Sequence, residues 1–172
     1  MKNFNLLIST SRFNEINAAT EMWFILFICG DKYPVISKTT FPGLVTALTN
    51  IDAKKVILKI QRILEKDPNF LQFILKIVPI DFVCETNIKI LVNLIKENSK
   101  MFIKEGDSFK IELKRRKHEK LERNMVIERI ADQIDNKVDL EDPDKLIRIE
   151  VLGNFCGVSF LEKRDIIKSR SA

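Results

Sequence analysis

DAKKVILKIQRILEKDPNFLQFILKIVPI, residues 52–80, changes period partway along its length. Val56, Ile57, Ile60, Ile63 and Leu64 recur at the three- and four-residue spacing of one helical face. Asp52 suits the N-cap of that helix, and Pro68 lies just past its end. The remainder, FLQFILKIVPI (70–80), is a short apolar run that reads as a strand.

Upstream, NLLIST (5–10) is a short strand, and SRFNEINAATEMWFILFI (11–28) is a helix with Ser11 at its N-cap and its end near Gly30. PVISKTT (34–40) and GLVTALT (43–49) are β-branched segments around Phe41-Pro42, expected as two strands joined by a turn. The order β-α-β-β-α-β is the split βαβ, or ferredoxin-like, arrangement.

Around Cys84–Thr86 the pattern restarts. NIKILVNLIKENS (87–99) is a helix with Ile88, Leu91, Leu94 and Ile95 on one side. After Gly106, SFKIELKR (108–115) is a strand with Phe109, Ile111 and Leu113 on one face and Lys110, Glu112 and Lys114 on the other. A helix over about 121–135 carries Val126, Ile127, Ile130, Ala131 and Ile134 inward. LIRIEVLG (146–153) and NFCGVSFLE (154–162) flank Gly153-Asn154, a two-residue hairpin turn. The expected fold is α+β. A ferredoxin-like domain over 1–84 is packed, through a short join, against a second α/β domain over 85–172.

Composition narrows the function. The 172 residues are 45% hydrophobic and 31% charged, which argues against disorder, and the formal charge of +5 leans weakly toward an anionic partner. Cys29, Cys84 and Cys156 are far apart in sequence, and with a single histidine they complete no familiar zinc site. Each reads as a small core hydrophobe in a reducing, cytoplasmic setting. MWFILFICG (22–30) is far shorter than the roughly 20 residues a bilayer requires, and no signal peptide is expected. There is no GxGxxG motif, P-loop or metal cluster, so neither a cofactor nor a metal is expected. VDLEDPD (138–144) lacks the spacing of a calcium loop, and its Asp142-Pro143-Asp144 reads as a turn before a strand.

The basic run FKIELKRRKHEKLERN (109–124) has a different status. Lys114, Arg115, Arg116, Lys117, Lys120 and Arg123 face only Glu119 and Glu122, a local excess of four formal charges. The run leaves a strand end and enters a helix start, where free amides and the helix dipole add to side-chain charge, the usual place for phosphate. A helix that includes Arg123 places it in phase with Ile127, Ile130 and Ile134; a helix capped at Asn124 does not. His118 sits among five cations that disfavour its protonation, and reads as an exposed hydrogen-bonding or stacking residue rather than a general base.

FKIELKRR, LERNMVIERIADQI, NKVDLEDPDKLIRIEVLGN and FCGVSFLE together resemble a THUMP domain, the tRNA-binding module of several tRNA-modification enzymes. ISTSRFNEINAATEM resembles the opening of the ferredoxin-like domain that usually precedes it. One departure stands in the loop: Arg116 runs into KHEK without the glycine of the family pattern. The chain carries neither the pyrophosphatase loop of a 4-thiouridine synthetase nor the glycine-rich turn of a methyltransferase. It resembles the archaeal short form of the stand-alone adaptor associated with acetylation of a tRNA cytidine to N4-acetylcytidine. The resemblance implies a non-catalytic protein that holds the tRNA acceptor stem and 3′ end for a partner acetyltransferase or other tRNA-modifying enzyme, away from any membrane. Lys114, Arg115, Arg116, Lys117, Lys120 and Arg123 would form the RNA site, with His118 and Lys110 peripheral. The alternative reading is a protein-interaction module whose ferredoxin-like sheet docks an enzyme while RNA contact is incidental.

Overall fold

The computed structural model describes residues 3–116 and 122–169, in two compact units: Met1–Ile80 with Arg164–Ala172, and Asp81–Lys163. The first unit runs β1 (Leu6–Thr10), α1 (Glu15–Ile28), β2 (Val35–Lys38), β3 (Leu44–Leu48), α2 (Ala53–Lys66) and β4 (Ile74–Pro79). The second runs β5 (Phe82–Glu85), α3 (Ile88–Phe102), β6 (Phe109–Arg116), α4 (Arg123–Ala131), β7 (Lys145–Leu152) and β8 (Phe155–Leu161). A last short strand, β9 (Ile167–Lys168), belongs to the first unit.

The first sheet has the order β2-β3-β1-β4-β9, antiparallel throughout. Its first four strands form the expected ferredoxin-like arrangement. α2 begins as its sequence implies: the Asp52 carboxylate accepts the Lys55 N–H at 2.9 Å, and Val56, Ile57 and Ile60 are buried. Each such side chain contributes about 1.5–3 kcal/mol of burial free energy.

α1 departs from expectation at its start. Ser11 is not the N-cap; Phe13 adopts a left-handed φ of 71° and Asn14 precedes the first helical residue, Glu15. The end is as read: Gly30 has φ 103°, its N–H donates to the Phe27 carbonyl at 2.9 Å, and Asp31 N–H donates to Leu26 at 3.0 Å. This is the paired 5→2 and 6→1 closure of a Schellman motif, which requires a left-handed residue at Gly30. Ala18, Met22, Ile25 and Leu26 face the core, whereas Trp23, Phe24, Phe27 and Ile28 stay exposed, with Trp23 and Phe27 stacked at 5.4 Å. No helix among the described residues is long and apolar enough to cross a membrane.

The second sheet has the order β5-β8-β7-β6, with β6 and β7 parallel and the other pairs antiparallel. α3 and α4 supply Leu91, Ile95, Val126 and Ile130 to a core shared with Phe109, Ile111, Leu113, Ile147 and Phe160. The β7–β8 turn has positive φ at Gly153 (63°) and not at Asn154, the type II′ pattern of a two-residue hairpin.

Two strands were not expected from sequence. β5 opens the second unit just where the sequence pattern restarts. β9 pairs Ile167 with Ile77 and Lys168 with Lys76, and Ile167 is buried in the first unit's core. The chain therefore changes units at Ile80/Asp81, and Arg164 onward belongs to the first unit rather than to a domain running from 85 to 172.

Candidate nucleic-acid interface

β6 is an edge strand, paired with β7 from Phe109↔Lys145 to Arg116↔Leu152. Phe109, Ile111 and Leu113 alternate into the core; from Lys114 the strand outruns it, and Lys114, Arg115 and Arg116 are all exposed. Strand alternation thus stops governing the side chains where the cations begin.

α4 starts at Arg123, which decides the question the sequence left open: Arg123 is inside the first turn and Asn124 is not the cap. The Arg123 side chain is nonetheless exposed. Glu122, at the cap position, makes no side-chain capping bond, and the first turn holds no acidic residue. The leading amides of α4 and its dipole, equivalent to roughly half a positive charge, are therefore not offset by a carboxylate in that turn. Lys117, His118 and Lys120 lie outside the described residues.

Lys110 plays a different part from the exposed cations. Its ammonium donates to the Leu140 carbonyl at 2.8 Å, tying β6 to the acidic loop. In that loop the Asp139 carboxylate accepts the Asp142 and Glu141 N–H groups, each at 3.0 Å, and these bonds hold its pKa below the ordinary value. Asp144 accepts the Ser108 N–H at 2.8 Å and the Ser108 hydroxyl at 2.7 Å, again lowering its pKa. Asp142 pairs with Lys163. The segment bends back before β7 as expected from sequence, with Asp139 and Asp144 holding the loop through backbone and Ser108 bonds.

Three arrangements escaped the sequence reading. Arg148, 5% exposed, donates through Nε to Glu150 at 2.7 Å and through Nη1 to Glu112 at 2.8 Å, so β6 and β7 share an ionic triad. Cys84 and Cys156, 72 residues apart, face each other with sulfurs 3.3 Å apart. The period-two placement of Phe82 and Cys84 on the core side was the available signal, within a strand of only four residues.

The third lies in the first unit, where Arg12, Phe13, Lys38, Thr39 and Phe41 line an open cleft of about 390 Å³. Phe13 is 95% exposed there. Glu15 also lines the cleft, and its Oε1 accepts the Gly43 N–H at 2.7 Å, while the Gly43 carbonyl accepts the Thr10 N–H at 3.0 Å. A Cβ on Gly43 would stand 2.7 Å from the Thr10 carbonyl oxygen, so the close approach requires glycine. A cation-flanked, solvent-facing aromatic is the kind of surface on which an unpaired base stacks.

Comparison with known proteins gives this geometry a family. The THUMP domain model matches residues 85–161. A THUMP domain-containing protein 1 homolog of Drosophila melanogaster is 32% identical over 97 residues, covering 53% of this chain and 30% of that protein. The chain thus spans about a third of the relative's length. Among solved structures, a protein from Pyrococcus horikoshii superposes with TM-score 0.71 at 16% identity, covering 98% of this chain and 56% of that one. A 4-thiouridine synthetase in complex with RNA and bound ATP superposes with TM-score 0.57 at 13% identity, covering 97% of this chain and 42% of that one. The solved structures share the fold with this chain, and the family model identifies residues 85–161, within the second unit, as a THUMP domain.

Proposed function

We propose that this chain is a tRNA-binding adaptor. It holds the acceptor stem and 3′ end for a tRNA-modifying enzyme, the acetyltransferase that forms N4-acetylcytidine, and performs no chemistry itself. The observation that carries the reading is the exposed Lys114, Arg115 and Arg116 at the end of β6, in the same THUMP unit as the uncapped start of α4 at Arg123. These exposed cations stand at a strand end and a helix start, the placement expected of contacts that set register on phosphate rather than read base edges. A neighbour of the same fold is an RNA complex, which favours RNA over other polyanions.

An adaptor also needs a surface for its enzyme. The exposed Trp23, Phe24, Phe27 and Ile28 of α1 form an apolar face without a charged residue among them, suited to a protein partner. That face also favours the second reading, a protein-interaction module with incidental RNA contact. Gel-shift titration with tRNA, tRNA lacking its 3′ end, and an unrelated RNA of equal length separates the two. Tighter binding of intact tRNA is expected; equal affinity for all three favours the interaction module. Acetylation of tRNA by the partner enzyme with and without this chain then tests the named reaction, and no stimulation would remove the acetyltransferase from the proposal.

A further inference from the structure

Cys84 of β5 and Cys156 of β8 occupy directly opposed positions in the antiparallel register. Opposed residues hold their Cα atoms about 4.5–5.5 Å apart, inside the range a disulfide spans. With the sulfurs at 3.3 Å, bonding requires an approach of roughly 1.3 Å, within reach of side-chain rotation. The two thiols are unequal. Cys156 is buried, and its hydrogen bond to Cys84 together with that burial pushes its pKa well up. Cys84 is half-buried, and the hydrogen bond from Cys156 draws its pKa down against burial and the neighbouring Glu85 charge. One sulfur is thus placed to meet solvent oxidants and the other to resolve the product.

We propose that Cys84 and Cys156 form a reversible redox modification site, oxidised by hydrogen peroxide to an intramolecular disulfide. The Cys84 thiolate attacks a peroxide oxygen and the O–O bond breaks, leaving a sulfenic acid on Cys84. The departing hydroxide takes up the proton that Cys84 lost, becoming water. The Cys156 sulfur then attacks the Cys84 sulfur, the S–O bond breaks, and the second hydroxide leaves as water with the Cys156 proton. Two thiols and one peroxide yield one disulfide and two waters, with two electrons passing to the peroxide. The bond staples the four-residue edge strand β5 to β8 and closes a loop containing α3, β6, α4 and β7. Cys29 takes no part: it is buried in the first unit's core, and burial raises its pKa.

The test treats the reduced full chain with one equivalent of hydrogen peroxide and follows intact mass, free thiols and cross-linked peptides. The native protein is expected to lose about 2 Da, keep one thiol and yield a Cys84–Cys156 peptide pair, all reversed by dithiothreitol. It should react at least about tenfold faster than in urea, where nothing holds the pair together. The oxidised form should also melt at a higher temperature. C84S should show neither the mass loss nor the melting shift; should that variant fail to fold, peptide mapping of the wild-type chain decides alone. Disulfide-linked dimers, oxidation of Cys84 with the Cys156 thiol left intact, or equal rates with and without urea would each overturn the proposal.

Discussion

Replacing Arg115 and Arg116 together with alanine gives the most direct test of the RNA surface. Both side chains are exposed at the end of β6, beyond the residues that pack in the core. Removing them leaves the packed core intact, and urea unfolding of the double variant confirms that it is folded before binding is measured. Each cation that neutralises a phosphate releases condensed counterion, so affinity falls with salt with a log–log slope of about −0.7 per contact on single strands. The described cations Lys114, Arg115, Arg116 and Arg123 would give a slope near −2.8, or roughly fiftyfold weaker binding between about 50 and 200 mM salt. The double variant should lose about 1.4 from that slope, leaving roughly a sevenfold effect. This difference does not depend on what Lys117 and Lys120 contribute, because their share is common to both proteins. Fluorescence anisotropy of labelled tRNA across that salt range measures both lines. Parallel lines, even with a weaker variant, would show that Arg115 and Arg116 do not touch phosphate. Replacing Lys66, on α2 of the other unit, should leave the slope unchanged and serves as the control.

Other outcomes follow from particular contacts. Arg148→Met leaves Glu150, 4% exposed, without its buried partner and should cost about 3–5 kcal/mol in urea unfolding; adding Glu150→Leu should restore most of the loss, and no recovery would mean the pair is not the cause. Asp144 has a folded pKa lowered by the Ser108 N–H and hydroxyl, so its stabilisation is present above the unfolded value of about 4 and lost as pH falls through the lower folded value. Asp144→Asn should therefore flatten the acid side of the stability curve, measured as unfolding midpoint against pH, and an unchanged profile would count against those bonds. Phe13→Ala should weaken binding of a 3′ single-stranded RNA end by about 1–3 kcal/mol if a base stacks there; calorimetric titration showing no loss would exclude that contact.

The local patterns were legible where burial and period agree. α2 shows its apolar stripe, its Asp52 cap and its closing proline in sequence, because a helix half-sunk in a core writes a 3.6-residue period into its residues. Phe109, Ile111 and Leu113 declare β6 in the same way, and the charge run beside them marks the surface. Reading failed where the chain carries too few residues to establish a period. β5 has four residues and β9 two, and both are strands because a distant edge accepts their hydrogen bonds. Ser11 looked like a cap because its chemistry fits, but the left-handed turn at Phe13 delays the helix to Glu15.

The sequence by itself therefore determined the two α/β patterns, the THUMP resemblance and the strand-to-helix position of the basic run. Tertiary structure alone decided which residues meet. It brought Cys84 to Cys156, set Arg148 between two carboxylates, turned Lys110 to the Leu140 carbonyl and returned Ile167 to the first unit's core. Periodicity is a local consequence of which face is wet, whereas partners distant in sequence are chosen by strand register, which local sequence carries only weakly.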